Sequence, residues 1–266
     1  MIRSHYGRRR SVCACLPPFA TDNDSVIEIA LTFVLAGIVK GVTGMGLPTV
    51  TMGVLGLFMA PADAAALVII PSLITNVWQF AAGTDRALLL RRLWPMLLAM
   101  SIVTVAAAGL LTHGRADRAA MALGAVLIIY AAVGLARVRL SVSKRLEPWL
   151  APLTGALTGV LTGATGVFVI PAAPYFHTLG LEKEDLVQVL GLSFTVSTLA
   201  LAAGLGVRGA FHLSAAGTSL LCTVPALAGV LAGQWIRVRI NPETFRKVFF
   251  LGLLFLGADL IVRGMF

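Results

Sequence analysis

Four stretches of this chain, Ala64–Thr84, Leu93–Thr112, Leu186–Val207 and Leu213–Ile236, run for 20 to 24 residues without one formally charged side chain. A helix needs about 20 mostly apolar residues to cross the hydrocarbon core of a bilayer. Ala119–Ala136 is slightly shorter, and Val248–Phe266 carries only Asp259 and Arg263, four residues apart and able to pair near an interface. Only 12% of the 266 residues are charged, about half the share of a typical soluble domain. So few charges cannot cover a water-facing surface, and most of the surface is expected to face lipid.

The excess positive charge, +9, falls in short runs between the apolar stretches. That placement fits membrane-face loops, and no nucleic-acid partner is expected. The three cysteines, Cys13, Cys15 and Cys222, are too few and too scattered for a disulfide framework or a metal site. Residues 1–25, with Arg8, Arg9 and Arg10 before a Pro-broken patch, read as a disordered basic tail and not as a signal peptide.

Two apolar stretches are too long for one simple crossing. Ile27–Met59 is broken by Gly41, Gly44, Gly46 and Pro48, and Pro148–Phe176 by Gly155, Gly159, Gly163, Gly166 and Pro171. Glycine costs about 1 kcal/mol inside a helix and proline about 3 kcal/mol, so both stretches are expected to be discontinuous helices. They also match. Gly37, Gly41 and Gly44 recur 122 residues later as Gly159, Gly163 and Gly166, and Asp63 recurs as Asp185. Arg118 and Gly124 pair with Arg246 and Gly252 at an offset of 128.

The sequence therefore reads as an all-α integral membrane protein of about eight hydrophobic segments in two four-segment repeats. The first segment of each repeat is broken by Gly and Pro. Residues 26–140 form the first repeat, 141–147 a basic linker, and 148–266 the second repeat. Eight alternating crossings would place 13 Lys and Arg on one side against 7 on the other, with both termini in the cytoplasm. If the broken segments turn back instead, the halves are inverted, the tail changes side and the bias falls to 12 against 8. The alternating arrangement is the expected one.

Broken helices survive in a bilayer only inside protein or beside a water-filled cavity, and their free N–H ends attract anions. The first break offers Thr43, Gly44, Gly46, Thr49 and Thr51, and the second Thr162, Thr165 and Gly166. Lys40 stands immediately before the first break, and a charge at that depth usually faces a cavity or a partner. Thr162 occupies the matching position, so any role of the lysine is confined to one half. Ser72, Thr75, Asn76 and Gln79 share one face of the following helix, and Ser193, Ser197 and Thr198 share one in the second half. The candidate substrate-binding residues are Lys40, Thr43, Gly44, Gly46, Thr49, Asn76, Gln79, Thr162, Thr165, Gly166, Ser193 and Ser197. Close helix packing and interhelical hydrogen bonding are the competing structural roles.

The string AGIVKGVTGMGLPTV at Ala36–Val50 resembles the first-repeat signature of the TauE/SafE, or sulfite exporter, family of membrane permeases. TGVLTGATGVFVIP at Thr158–Pro171 is similar to its second-repeat counterpart, and Gly191–Ser193 to the polar step that follows. The resemblance covers about residues 26–264. It implies two four-segment repeats and transport of sulfur-containing anions such as sulfite, sulfonates or sulfoacetate, or of other organic anions. The run of three glycines frequent in the family is replaced by Gly44-Met45-Gly46-Leu47 in one copy and Gly166-Val167-Phe168 in the other.

The expectation is a multi-pass secondary transporter of small anions in the bacterial inner membrane. It would work by alternating access, with H+ or Na+ as coupling-ion candidates. An enzyme would need a nucleophile with its base, paired carboxylates or a metal cluster. His5, His113, His177 and His212 lie in the tail or at segment ends, and Asp63 and Asp185 at helix starts, where capping explains them. There is no phosphate-binding loop. No catalytic residue, metal or cofactor is assigned. The alternatives are a membrane-embedded enzyme and an accessory or scaffold subunit.

Overall fold

The computed structural model describes residues 23–83, 86–113, 116–136, 143, 145–211 and 213–265. The tail of residues 1–22, with Cys13, Cys15 and His5, and residues 141, 142 and 144 of the basic linker lie outside the described residues. Among those described, every regular element is helical. They are α1 (Asn23–Thr43), α2 (Leu47–Leu55), α3 (Pro61–Ala81), α4 (Arg86–His113), α5 (Ala116–Ala136), α6 (Glu147–Thr165), α7 (Ala172–Thr178), α8 (Lys183–Val207), α9 (Leu213–Arg237) and α10 (Pro242–Met265). All but α2, α6 and α7 are long and apolar enough to cross a membrane. With Leu31, Trp78, Trp149, Leu221 and Phe255 turned outward, this is an all-α, multi-pass membrane protein.

The exception in length is instructive. Helix α6 has 19 residues but carries four threonines and three glycines. Its hydroxyls are satisfied within the helix: Thr158, Thr162 and Thr165 each donate to the carbonyl four residues back, at 2.7–2.8 Å. Such a helix carries polar atoms at membrane depth without leaving them unpaired.

Helix directions follow from which residues meet. A Cβ on Gly155 would meet Met96, one on Gly159 would meet Met100, Val103 and Thr104, and one on Gly163 would meet Ala107 and Ala108. Helices α4 and α6 are therefore parallel. Helix α8 is parallel to α4 as well, since Ser193 and Ser197 reach Met100 while Arg208 reaches the carbonyls of Val105 and Ala106. Gly37 faces Ala226, Gly229 and Val230, and Gly41 faces Val230, Gly233 and Gln234, so α1 and α9 are parallel.

The remaining directions come from the connections. Four residues separate α3 from α4 and α9 from α10, two separate α4 from α5, and five separate α8 from α9. At roughly 3.5 Å per residue, none spans the ~30 Å back across a bilayer, so each of these neighbours is antiparallel. Helices α1, α3, α5 and α9 thus run one way, and α4, α6, α8 and α10 the other. Two independent interfaces agree. Gly264, Gly124 and Gly134 place α10 against α5 in opposite senses, through Met121, Gly257 and Phe250 in turn. Asn76 faces Gly191 while Gly83 faces Gln188, which sets α3 against α8 in the same opposed way.

Since α1 and α3 share a direction, the chain turns back between them through α2. It does the same between α6 and α8 through α7. The structure therefore has the turned-back arrangement and not the eight alternating crossings. Apolar length does not record direction, and the nine residues of α2 are too few to register as a segment. Among the described residues, the end of the bundle where α3 and α9 finish and α4 and α6 begin holds Arg86, Arg91, Arg92, Arg145, Lys183, Arg237, Arg239, Arg246 and Lys247. It also holds Trp78, Trp149 and Trp235, all well exposed. Arg92 closes that end with a two-pronged bond to Glu147 at 2.6 and 2.8 Å, joining α4 to α6.

The first and third long helices of opposite halves meet through corresponding residues. Met100, Val103 and Thr104 receive Gly159 as Ala226, Gly229 and Val230 receive Gly37, at a constant offset of 126. The offset of 128 fails further on. Gly124 packs on Gly257, and Gly252 faces open space. The middle of α10, residues 248–258, is apolar on every side and gives no periodic landmark to fix the register. The paired Asp259 and Arg263 do meet, at 2.8 Å.

Candidate functional site

Both breaks begin with the same device. Gly44 has φ 79° and donates its N–H to the Lys40 carbonyl at 2.7 Å. Gly166 has φ 73° and donates to the Thr162 carbonyl at 2.8 Å. The preceding threonine then accepts from the backbone two residues on, Met45 N–H to Thr43 Oγ1 at 3.2 Å and Val167 N–H to Thr165 Oγ1 at 3.3 Å. Left-handed backbone is open to glycine and costly for side chains with a Cβ. The threonine satisfies an amide that the helix no longer serves. Thr43 and Thr165 thus hold the bends together.

Beyond that point the breaks diverge. At the first, Gly46 keeps φ at 102° and α2 starts directly after it. One turn before the bend, Lys40 is buried at 5% exposure, and its ammonium donates to Asn76 Oδ1 on α3. Among the described residues, Asn76 Nδ2 has no partner, nor do the hydroxyls of Thr49, Thr51 and Ser72, and all four residues are fully buried. A buried polar atom without a partner costs about 1–3 kcal/mol. Lys40 and Asn76 form a buried pair of an ammonium and a neutral amide, and further unpartnered hydroxyls lie on α2 and α3.

At the second break every matching group is occupied or apolar. Thr162 stands in place of Lys40 and bonds within its own helix. Val167, Phe168 and Val169 are fully buried, and Phe168 packs on Phe194 at 5.2 Å between ring centres. Ser197 and Ser193 turn to the Met100 sulfur, at 3.1 and 3.9 Å, and Thr198 donates to the Phe194 carbonyl. Thr162, Thr165, Ser193 and Ser197 thus have partners of their own, while Gly166 packs against Met52 of α2.

Gln79 and Thr75 have other employment. Gln79 Nε2 donates to the Val187 carbonyl at 2.8 Å, and Gln188 Nε2 donates back to the Phe80 carbonyl at 3.2 Å, so the two amides tie α3 to α8. Thr75 bonds to carbonyls of its own helix. Asp63 and Asp185 lie in the first turns of α3 and α8, where they oppose the helix dipole. The caps themselves are Ala60 and Glu182.

A cavity of about 780 Å³ opens beside the first break. Thr43 and Met45 line it from the bend, Tyr130 and Gly134 from α5, His177 from α7, and Arg246, Phe249 and Phe250 from α10. Tyr130 meets Phe250 edge-on at 5.2 Å and Phe249 at 6.3 Å, and its hydroxyl reaches the Met45 sulfur at 3.3 Å. Arg246 spans to the Gly134 carbonyl at 2.9 Å. None of these residues except Thr43 stood out in the sequence. His177 and Arg246 sit at helix ends, the usual place for solvated polar residues, and the return of α7 to this end brings His177 to the first break. Among the described residues no three His, Cys, Asp or Glu side chains gather to hold a metal.

Residues 29–260 match the family model described as Sulfite exporter TauE/SafE. The chain belongs to the TauE/SafE family. Neither the curated proteins nor the solved structures compared with it give a match. The family fixes the coarse activity: this TauE/SafE member is a membrane transporter of the sulfite-exporter type, and its substrates are small anions of that kind.

Proposed function

We propose that this protein is a secondary transporter that carries a small anion, sulfite, a sulfonate or a related organic anion, by alternating access between two inverted halves in the bacterial inner membrane. The observation that carries the reading is the first break. Lys40 is a buried cation whose partner among the described residues is the neutral amide of Asn76, and unpartnered buried hydroxyls of Thr49, Thr51 and Ser72 lie on the neighbouring α2 and α3. An anion supplies the missing counter-charge and acceptors, and its desolvation is offset by the ammonium.

The halves divide near residues 140–148. Support comes from the opposed directions of α1 and α6, and from the recurrence of the bend at Gly44 and Gly166. Inverted halves that meet near the membrane centre are the common frame for alternating access. The enzyme reading finds no nucleophile paired with a base in the described site. The test is flux: purified protein in liposomes, given a gradient of sulfite, sulfonates and carboxylates, moves at least one of them, with H+ or Na+ gradients varied to find the coupling ion. Absence of flux across that panel sinks the proposal, and a stably copurifying partner would then favour an accessory subunit.

A further inference from the structure

Helix α3 carries Asn76, the partner of Lys40, and it also carries a proline in mid-span, Pro71. Proline has no N–H, and its ring pushes against the carbonyl four residues back, so the Leu67 carbonyl loses its helical partner. An unpaired backbone group is costly at membrane depth. Here a hydroxyl from another helix fills the gap. Ser219 of α9, fully buried, donates to the Leu67 carbonyl at 2.7 Å and accepts from the Ile70 N–H at 3.1 Å. A side chain inserted into the helix ladder beside a proline fixes a bend. The rest of α3, with Ser72, Asn76 and Gln79, continues from that bend.

The brace belongs to the lysine half alone. At the offset of 122 Pro71 corresponds to Ser193, and α8 contains no proline. At the offset of 126 Ser219 corresponds to Leu93. The half without Lys40 therefore lacks both the proline and its hydroxyl. Helix α9 also seats α1, since Gly229 and Gly233 receive Gly37 and Gly41, on either side of Lys40. One helix thus sets both the carrier of the ammonium and the carrier of the amide. Asn76 lies five residues beyond Pro71, roughly 7.5 Å along the axis. A change of ~20° in the bend shifts it by ~2.5 Å, enough to break its bond to Lys40.

Resting on the transport reading of the Lys40 site, we propose that Ser219 is a positioning residue for transport. By bridging the gap at Pro71 it sets the bend of α3 and holds Asn76 in register with Lys40. Ser219 itself lies outside the cavity lining.

The experiment offers sulfite, methanesulfonate and acetate to the full chain in liposomes and follows whichever the wild-type protein moves fastest. Ser219→Ala should raise its half-saturation concentration roughly tenfold, the scale of one hydrogen bond to a charged group. It should also lower the unfolding temperature by about 3 °C or more. Asn76→Ala should raise half-saturation by a similar factor. Adding Ser219→Ala to it should change that value by no more than about twofold, because Ser219 acts through Asn76. Pro71→Ala restores the missing N–H. Combined with Ser219→Ala it should therefore regain the unfolding temperature, while half-saturation stays raised because the bend is gone. That double variant decides the matter even if Ser219→Ala alone does not fold. Unchanged half-saturation in Ser219→Ala, or its full recovery in the double variant, shows a merely structural hydroxyl and overturns the proposal with transport intact. A further tenfold rise in the Asn76→Ala background overturns it too. If the wild-type chain moves none of the three anions, the transport reading falls and the positioning role falls with it.

Discussion

The two breaks start from one design and end as opposites. Both bend at a left-handed glycine, and both bends are tied by a threonine hydroxyl. Then Gly46 leaves the first bend open, while Phe168 at the matching position fills the second. Lys40 is buried before one bend, and a self-satisfied Thr162 stands before the other. The backbone device is therefore separable from the chemistry: among the described residues, unpartnered buried polar atoms lie on α2 and α3, at Thr49, Thr51, Ser72 and Asn76, and also at Thr104 on α4 and Tyr175 on α7, but only the first break has a buried lysine before it. An anion site built on this frame is asymmetric although the frame is not.

The sharpest way to break that comparison is to remove the charge from one side and the hydroxyl from the other. Lys40→Met should lower anion flux by about a hundredfold or more, the usual scale for losing a desolvated charge partner of 2–5 kcal/mol. The same variant should unfold at an equal or higher temperature, because a buried cation with only a neutral partner destabilises the fold. Thr162→Val should leave flux within about twofold, since its hydroxyl bonds only to its own helix. Flux assays and thermal unfolding of the two variants side by side check this. Equal losses at both positions would refute the asymmetry.

How much of this could be read beforehand depended on whether the signal was local. Lys40, Asn76 and the bends at Gly44 and Gly166 were visible because a charge, an amide or a glycine inside an apolar run is anomalous by itself. The family motif at Ala36–Val50 covers Lys40 and Gly44, and its counterpart at Thr158–Pro171 covers Gly166. Gln79 looked like a wall residue because it shares a helical face with Asn76. Its partner, the Val187 carbonyl, lies 108 residues away, and no pattern announces a backbone acceptor. The direction of α3 relative to α1 was hidden for the same reason. It is carried by α2, whose short length and apolar sequence look like a continuation of α1. His177 joined the site through the corresponding return at α7.

The helix pairs offer a second, smaller contrast. In α1–α9 glycine faces glycine, with Gly41 against Gly233. In the matching α4–α6 contact Gly163 faces Ala107. Gly41→Ala and Gly163→Ala should each destabilise by about 2–3 kcal/mol, because the new methyl lands on neighbouring backbone. Adding Ala107→Gly should recover part of the Gly163→Ala loss. No comparable trimming is open to Gly41→Ala, since Gly233 has no side chain to remove. Thermal unfolding of the single and double variants measures the difference, and rescue failing at α4–α6 would show the helices are held apart by something else. At the bends themselves, Gly44→Ala and Gly166→Ala should each cost about 1–2 kcal/mol for a left-handed residue bearing a Cβ. Gly166→Ala should lie at the upper end, because the added carbon meets the Met52 methyl at 2.9 Å while Gly44 has only Gln79 Nε2 near, at 4.0 Å.

The smallest effects should come from the threonines, and here the comparison predicts sameness. Thr43 and Thr165 both accept one amide, at 3.2 and 3.3 Å, and both donate to the carbonyl four residues back, at 2.9 and 2.7 Å. Thr43 has one further acceptor, the Met45 carbonyl at 2.7 Å. Valine keeps the shape and removes these bonds, so each variant should lose about 1 kcal/mol, the net worth of a neutral hydrogen bond. Thr43→Val should be slightly the worse of the two. If Thr43 only ties the bend, its variant lowers the unfolding temperature and leaves the half-saturation concentration for the transported anion unchanged. If that concentration rises for Thr43→Val and not for Thr165→Val, the hydroxyl that lines the cavity also touches substrate. The division between a shared frame and a one-sided site would then run through Thr43 itself.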